Sequence, residues 1–142
     1  MSMFPIAICD DEAAVCSDLR RLLALHEKTA ESLIYEFHSG EELYESICAG
    51  LSFNLIILDI ELKSMNGVTV GTLLREQLKD RATEILYISG NQEYAMKLFD
   101  LRPLNFLTKP LDEKKFLHCI STAMELTERE LPCLAFTSQK GI

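Results

Sequence analysis

The chain has no long hydrophobic run, no paired-cysteine motif and no surplus of basic residues. Each absence removes a class of function. Apolar runs reach only about six residues, against the roughly 20 that a membrane span needs. No basic segment followed by a long apolar core opens the chain. A secretory signal is therefore not expected, and the cytoplasm is the predicted compartment. Lys and Arg number 14 against 22 Asp and Glu, and the net charge is −8. Nucleic-acid binding draws on clustered cations facing phosphates, so this segment alone is not expected to bind DNA. The cysteines, Cys9, Cys16, Cys48, Cys119 and Cys133, are scattered without a CxxC pair, and His26, His38 and His118 stand far apart in sequence. Neither a zinc site nor a disulfide framework is predicted. The cysteines read as buried reduced thiols that pack as small apolar groups. Internal repeats, low-complexity stretches and a P-loop are also lacking.

What is present is an alternation of strand and helix patterns. The length of 142 residues suits one compact domain, and 48% apolar residues suffice for a core. Residues 4–9 are strand-like. Residues 12–28 carry Ala13, Cys16, Leu19, Leu22 and Leu23 at helical spacing. Leu33–Phe37 reads as a second strand, and Ser39 with Glu42 as a capping box opening helix 39–49. Asn54–Leu58 is nearly all apolar, as a strand covered on both faces must be. Asn66-Gly67 forms a turn before helix 68–79. Strand Glu84–Ile88, a weak helix 92–99 and strand Leu104–Thr108 follow. Asp112 caps a last helix running to about Thr127, and Pro132 ends it. LAFTSQKGI then reads as a strand and a turn. Alternation of this kind predicts a doubly wound five-stranded parallel sheet with helices on both faces. Such sheets commonly take the order 2-1-3-4-5, with ligands at the C-terminal strand ends near the switch between strands 1 and 3.

Four of these strands end at residues suited to phosphoryl chemistry. The first ends at Asp10-Asp11, the third at Asp59, the fourth at Ser89 and the fifth at Lys109, followed by Pro110. Taken singly, Asp11 reads as a helix cap, Asp59 as a loop carboxylate, Ser89 as a turn residue and Lys109 as a surface lysine. At adjacent ends of one sheet they read as a site. Three carboxylates face one ammonium, and like charges raise each other's pKa unless compensated. A Mg²⁺ ion would balance them, and an oxygen-only set suits that ion. A carboxylate is a usable nucleophile toward phosphorus. Asp59, central in the row, is the best nucleophile, with Asp10 and Asp11 better suited to hold metal.

These residues give the chain a resemblance to the receiver domain of bacterial two-component response regulators, which have a flavodoxin-like (βα)5 fold. The match runs from residue 4 to about 128 and rests on Asp10-Asp11, on Asp59 followed eight positions later by Gly67, on Ser89 and on Lys109-Pro110. The stretch EYAMKLFDLRPLNFLTKPLDEKKF resembles the subgroup with a LytTR-type DNA-binding output. The resemblance implies that Asp59 accepts a phosphoryl group from a histidine kinase. It implies Mg²⁺ bound by Asp11, Asp59 and the Glu61 backbone carbonyl, with Asp10 acting through water. Lys109 and Ser89 would contact phosphoryl oxygens, Lys109 pairing with Asp59 beforehand. Lys109–Pro110 is expected to be cis and Phe106 to be the aromatic switch. Glu61 and Asn91 occupy the positions that tune phosphoryl lifetime. Ser89 replaces the commoner Thr, and Phe106 a common Tyr. A homodimer through the 92–128 face is implied. DNA contact is expected only through a separate domain, with residues 129–142 as linker and start of that domain. The alternative is a free-standing receiver that binds protein. An enzyme is not expected, because haloacid dehalogenase hydrolases want an Asp where Glu61 stands and a Thr where Lys63 stands.

Overall fold

The structure is a computed structural model describing the backbone of residues 4–139 and side chains to residue 128. Five strands form one parallel sheet in the order β2-β1-β3-β4-β5. They are β1 (Ile6–Cys9), β2 (Ile34–Phe37), β3 (Leu55–Asp59), β4 (Glu84–Ser89) and β5 (Asn105–Thr108). The register aligns Cys9 with Leu58 and Asp59 with Ile88, and Ser89 with Thr108, so the polar strand ends fall on one edge. β1 and β3 are each covered on both faces. Ile6, Ile8, Leu55 and Ile57 point to one apolar layer, and Ala7, Cys9, Ile56 and Leu58 to the other. That alternation is why these strands read as continuous apolar runs.

The first layer is built by α1 (Ala13–Leu25) and by the last helix, α4 (Glu113–Gln139). Cys16, Leu19, Leu22 and Leu23 of α1 meet Phe116, Cys119, Ile120 and Ala123 of α4 over the sheet. The second layer holds α2 (Gly40–Cys48), α3 (Gly67–Thr72) and a 3₁₀ segment, Gln92–Leu101. Leu43, Val70, Leu98 and Leu101 are its inward residues. Ser39 caps α2 by accepting from the Glu42 N–H at 3.1 Å, while Glu42 Oε1 accepts from the His38 N–H at 2.9 Å. Asp112 caps α4, accepting from the Lys115 N–H at 3.1 Å. No described helix is long and apolar enough to cross a membrane.

Four expected elements differ. Helix 68–79 is α-helical only over Gly67–Thr72 and passes into a π-helical turn, Leu73–Gln77. Leu78 N–H bonds Leu73 O at 3.0 Å, and Lys79 ends the helix with a left-handed φ of 57°. Asn66-Gly67 is the start of the helix rather than a turn before it, with Asn66 Oδ1 accepting from the Thr69 N–H at 2.9 Å. The weak helix 92–99 is the longer 3₁₀ segment Gln92–Leu101. The strand expected after Pro132 is absent, because the α4 backbone continues through it to Gln139. A strand without a partner leaves its backbone groups unpaired, whereas a helix satisfies its own. The turn expected at residues 140–142 lies outside the described residues.

One buried side chain ties the irregular pieces together. Arg75, on the π-helical turn, is 5% exposed. Its guanidinium donates to Leu101 O at 2.8 Å, Asp80 O at 2.9 Å and Arg102 O at 3.1 Å. Burial lowers its pKa, with Tyr87 and Asp80 opposing. Arg102 sits at φ 51°, a conformation that costs a non-glycine residue about 1 kcal/mol and that these carbonyl contacts hold. Gly71 lies nearby, where an added Cβ would fall 2.2 Å from the Tyr87 hydroxyl. Arg75→Ala leaves three carbonyls without their donor. It is expected to cost about 3 kcal/mol and to speed amide exchange over residues 92–104 beyond the rest of the chain. Uniform exchange across the chain would show that the anchor is not local.

Candidate functional site

The C-terminal strand ends bring together Asp10, Asp11, Asp59, Ser89 and Lys109. Asp10 directly follows β1 and is fully buried, and its Oδ1 accepts from the Glu12 N–H at 2.9 Å. Asp11 next to it is exposed. Asp59 is the last residue of β3 and is 2% exposed. Its Oδ1 accepts from the Glu61 N–H at 3.1 Å. Ser89, the last residue of β4, is buried; its Oγ accepts from the Asn91 N–H at 3.0 Å and its carbonyl from the Lys109 N–H at 2.9 Å. The Lys109–Pro110 peptide is cis. Gly67 closes the floor: a Cβ there would fall 2.6 Å from the Asp59 carbonyl oxygen, so only glycine allows this approach.

Lys109 is the lysine whose ammonium reaches the two buried carboxylates. Its Nζ lies 3.1 Å from Asp10 Oδ2, 3.6 Å from Asp59 Oδ1 and 3.9 Å from Glu12 Oε1. The expected pairing with Asp59 is present, and the ammonium approaches Asp10 more closely still. Both carboxylates are buried, so each gains from the ammonium. Burial alone would lower the Lys109 pKa, but the Asp10 hydrogen bond and Asp59 outweigh it and raise it. Asp59 keeps the weaker share. Burial and then the Asp10 charge push its carboxyl up to about 6, against Lys109 and the Glu61 N–H, which lower it.

The acidic cluster has the chemistry of a hard-cation site. Asp10, Asp11 and Asp59 each offer an oxygen within 4.8 Å of the others. Lys109 returns one positive charge against the three carboxylates, so the cluster stays net negative. Oxygen-only donors with solvent access on the Asp11 side fit Mg²⁺ rather than a thiophilic metal.

Other expected residues lie at the margin. Phe106 is half-buried on β5 and packs on the second core layer. With Gln92, Ala95, Thr108, Pro110 and Lys115 it lines a cavity of about 340 Å³. Glu61 bridges two loops: its Oε1 accepts from the Gly90 N–H at 3.1 Å. Asn91 caps the 3₁₀ segment, accepting from the Glu93 N–H at 2.9 Å. The residue that sequence reasoning missed is Glu12. Its position after the acidic pair was the only available signal.

Comparison with known proteins identifies the family of the chain. The Response regulator receiver domain family matches residues 6–121. The chain therefore belongs to the response regulator receiver domain family. It is 25% identical over 111 residues to the sensory transduction protein LytT of Oceanobacillus iheyensis, a match covering 78% of this chain and 44% of LytT. The chain thus spans about half the length of that relative. It is 25% identical over 122 residues to the chemotaxis protein CheY of Treponema pallidum, covering 86% and 83% of the two chains. The response regulatory domain of mrkE from Klebsiella pneumoniae superposes with a TM-score of 0.78 at 20% identity, over 89% of this chain and 99% of that one.

The Asp59 pKa has a consequence for stability. Its folded value of about 6 lies above the ordinary 3.8, so the folded state binds the extra proton between them. Stability from this group is then highest below about pH 4 and falls as pH rises through 6. Asp59→Asn without divalent cations is expected to raise stability by about 2 kcal/mol at pH 7.5, with the gain vanishing near pH 4. Denaturant unfolding at the two pH values measures it, and an equal gain at both would refute the electrostatic cause.

Proposed function

We propose that this domain is a phosphoacceptor switch: Asp59 takes a phosphoryl group from a histidine kinase, with Mg²⁺ bound by Asp11, Asp59 and the Glu61 carbonyl and by Asp10 through water. The observation that carries this reading is the state of Asp59. It is buried, poorly compensated and held through Oδ1 by the Glu61 N–H. No hydrogen bond falls on Oδ2 among the described residues, which leaves that oxygen as the nucleophile. Asp59 Oδ2 forms the new O–P bond as the P–N bond to the kinase imidazole breaks, and the departing nitrogen takes a proton from solvent. Bound Mg²⁺ would neutralise phosphoryl charge. Lys109 moves from its Asp10 partner toward a phosphoryl oxygen.

The output follows from Ser89. Its Oγ now accepts from the Asn91 N–H. Turning to donate to the phosphoryl group gives up that bond at the start of the 3₁₀ segment. The space vacated admits Phe106, and the surface of residues 92–128 changes shape. Met96 and Phe99 of that segment are 82% and 83% exposed, which favours this face for a phosphorylation-dependent homodimer. The domain is a substrate of its kinase rather than an enzyme, as Glu61 in place of a second Asp suggests.

Transcription through a LytTR-type domain, distinct from residues 4–128, is the output we favour, on the LytT likeness and the EYAMKLFDLRPLNFLTKPLDEKKF stretch. A free-standing receiver acting by protein contact is the second reading, favoured by the 83% coverage of CheY. Two measurements test the switch. Intact mass after incubation with Mg²⁺ and a small acyl phosphate should gain one phosphoryl group, lost in Asp59→Asn; equal labelling of the variant removes Asp59 as acceptor. Sedimentation should register a dimer with beryllofluoride and a monomer without it, and a monomer in both removes the dimer face.

A further inference from the structure

A second set of metal-binding atoms meets on the flank of the sheet, between α1 and β2. Glu36 lies in β2 and His38 just past its end, two residues on. Cys16 of α1 faces them, with Arg20 one turn further on. Cys16 Sγ, a Glu36 carboxylate oxygen and a His38 ring nitrogen all lie within 4.8 Å of one another. Arg20 Nε pairs with Glu36 Oε2, while Oε1 lies 3.5 Å from His38 Nε2. One carboxylate oxygen is thus held in place, and the other is turned toward the imidazole. Cys16 is 2% exposed, whereas the Glu36 and His38 side chains reach solvent at 26% and 56%. The cluster has a buried sulfur at its base and an open mouth. The Arg20–Glu36 ion pair accounts for neither the thiol nor the imidazole.

We propose that Cys16, Glu36 and His38 bind a transition-metal dication of the Zn²⁺ class, at a site separate from the acidic cluster. Thiolate, imidazole and carboxylate are the donors that Zn²⁺ takes, in tetrahedral arrays that need ligand atoms a few ångströms apart. Three protein ligands leave a fourth position for water at the exposed mouth. Arg20 is a positioning residue: it fixes the carboxylate without touching the metal. In the metal-free protein the Cys16 thiol acts as a hydrogen-bond donor and so carries its proton. The cation replaces that proton, which passes to solvent. The exchange reaches the phosphoacceptor pocket, because the same thiol donates to the Asp10 carbonyl oxygen at 3.5 Å. Metal at Cys16 removes that donation from the residue that pairs with Lys109. Sequence distance hid this set: Cys16 and His38 come from different elements and meet only through the packing of α1 on β2.

The test is titration of the full reduced chain with Co²⁺ in excess Mg²⁺, which fills the acidic cluster. A sulfur-to-cobalt charge-transfer band should grow to one equivalent and be displaced by Zn²⁺. Cys16→Ser should abolish the band. His38→Ala, at an exposed position that leaves the core intact, should weaken Co²⁺ and Zn²⁺ at least about tenfold, since even outer-shell partners are worth that much. Asp11→Ala should leave both unchanged. Absence of the band, its survival in Cys16→Ser, parental affinity in His38→Ala, or loss in Asp11→Ala would each overturn the proposal. None of these outcomes depends on phosphoryl transfer to Asp59.

Discussion

Three carboxylates share one ammonium at the edge of the sheet, and much of the domain's chemistry follows from how that share is divided. Asp10 is wholly buried and takes the closest approach of Lys109, at 3.1 Å. Asp59, at 3.6 Å, receives less. Burial and then the Asp10 charge push its carboxyl up to about 6. In the function proposed above that carboxylate is the nucleophile, and Asp11, open to water, is a ligand for a hydrated cation. The division depends on the sheet order. β1 and β3 are neighbours, so their last residues meet, and β5 lies two strands from β3, so Lys109 must reach back across the β4 end.

The sheet and its site were legible because both depend on local pattern. Ile6–Cys9 and Leu55–Asp59 alternate between two apolar layers, so they form unbroken apolar runs ending at carboxylates. Parallel order then forces those ends to one edge. The Ser39 and Asp112 caps were legible for a similar reason: a short polar side chain precedes an apolar stripe.

What sequence did not disclose depends on distant atoms. The π-helical turn at Leu73–Gln77 exists beside carbonyls of residues 101 and 102, which Arg75 seeks from across the second layer. Nothing in the spacing of Val70, Leu73 and Leu74 announces it. The 3₁₀ form of Gln92–Leu101 likewise leaves only Leu98 and Leu101 buried, too sparse a stripe to set a helical period. Lys109 pairs with Asp59 as expected, but its closer contact with Asp10 depends on where the packed strands place the two carboxylates. The tail was misjudged because Pro132 was weighed as a stop signal, whereas the backbone of α4 continues to Gln139.

The 3₁₀ segment is fastened unequally at its two ends. At Leu101 and Arg102 a guanidinium grips consecutive carbonyls, and the left-handed turn at Arg102 fixes the exit direction. At the other end it is fastened by Asn91, through its side-chain cap on Glu93 and its backbone bond to Ser89. Such a rod is a lever with its pivot at residue 102. A displacement at the Ser89 end is carried along its length and shrinks toward the pivot, so the exposed sulfur of Met96 travels further than the ring of Phe99.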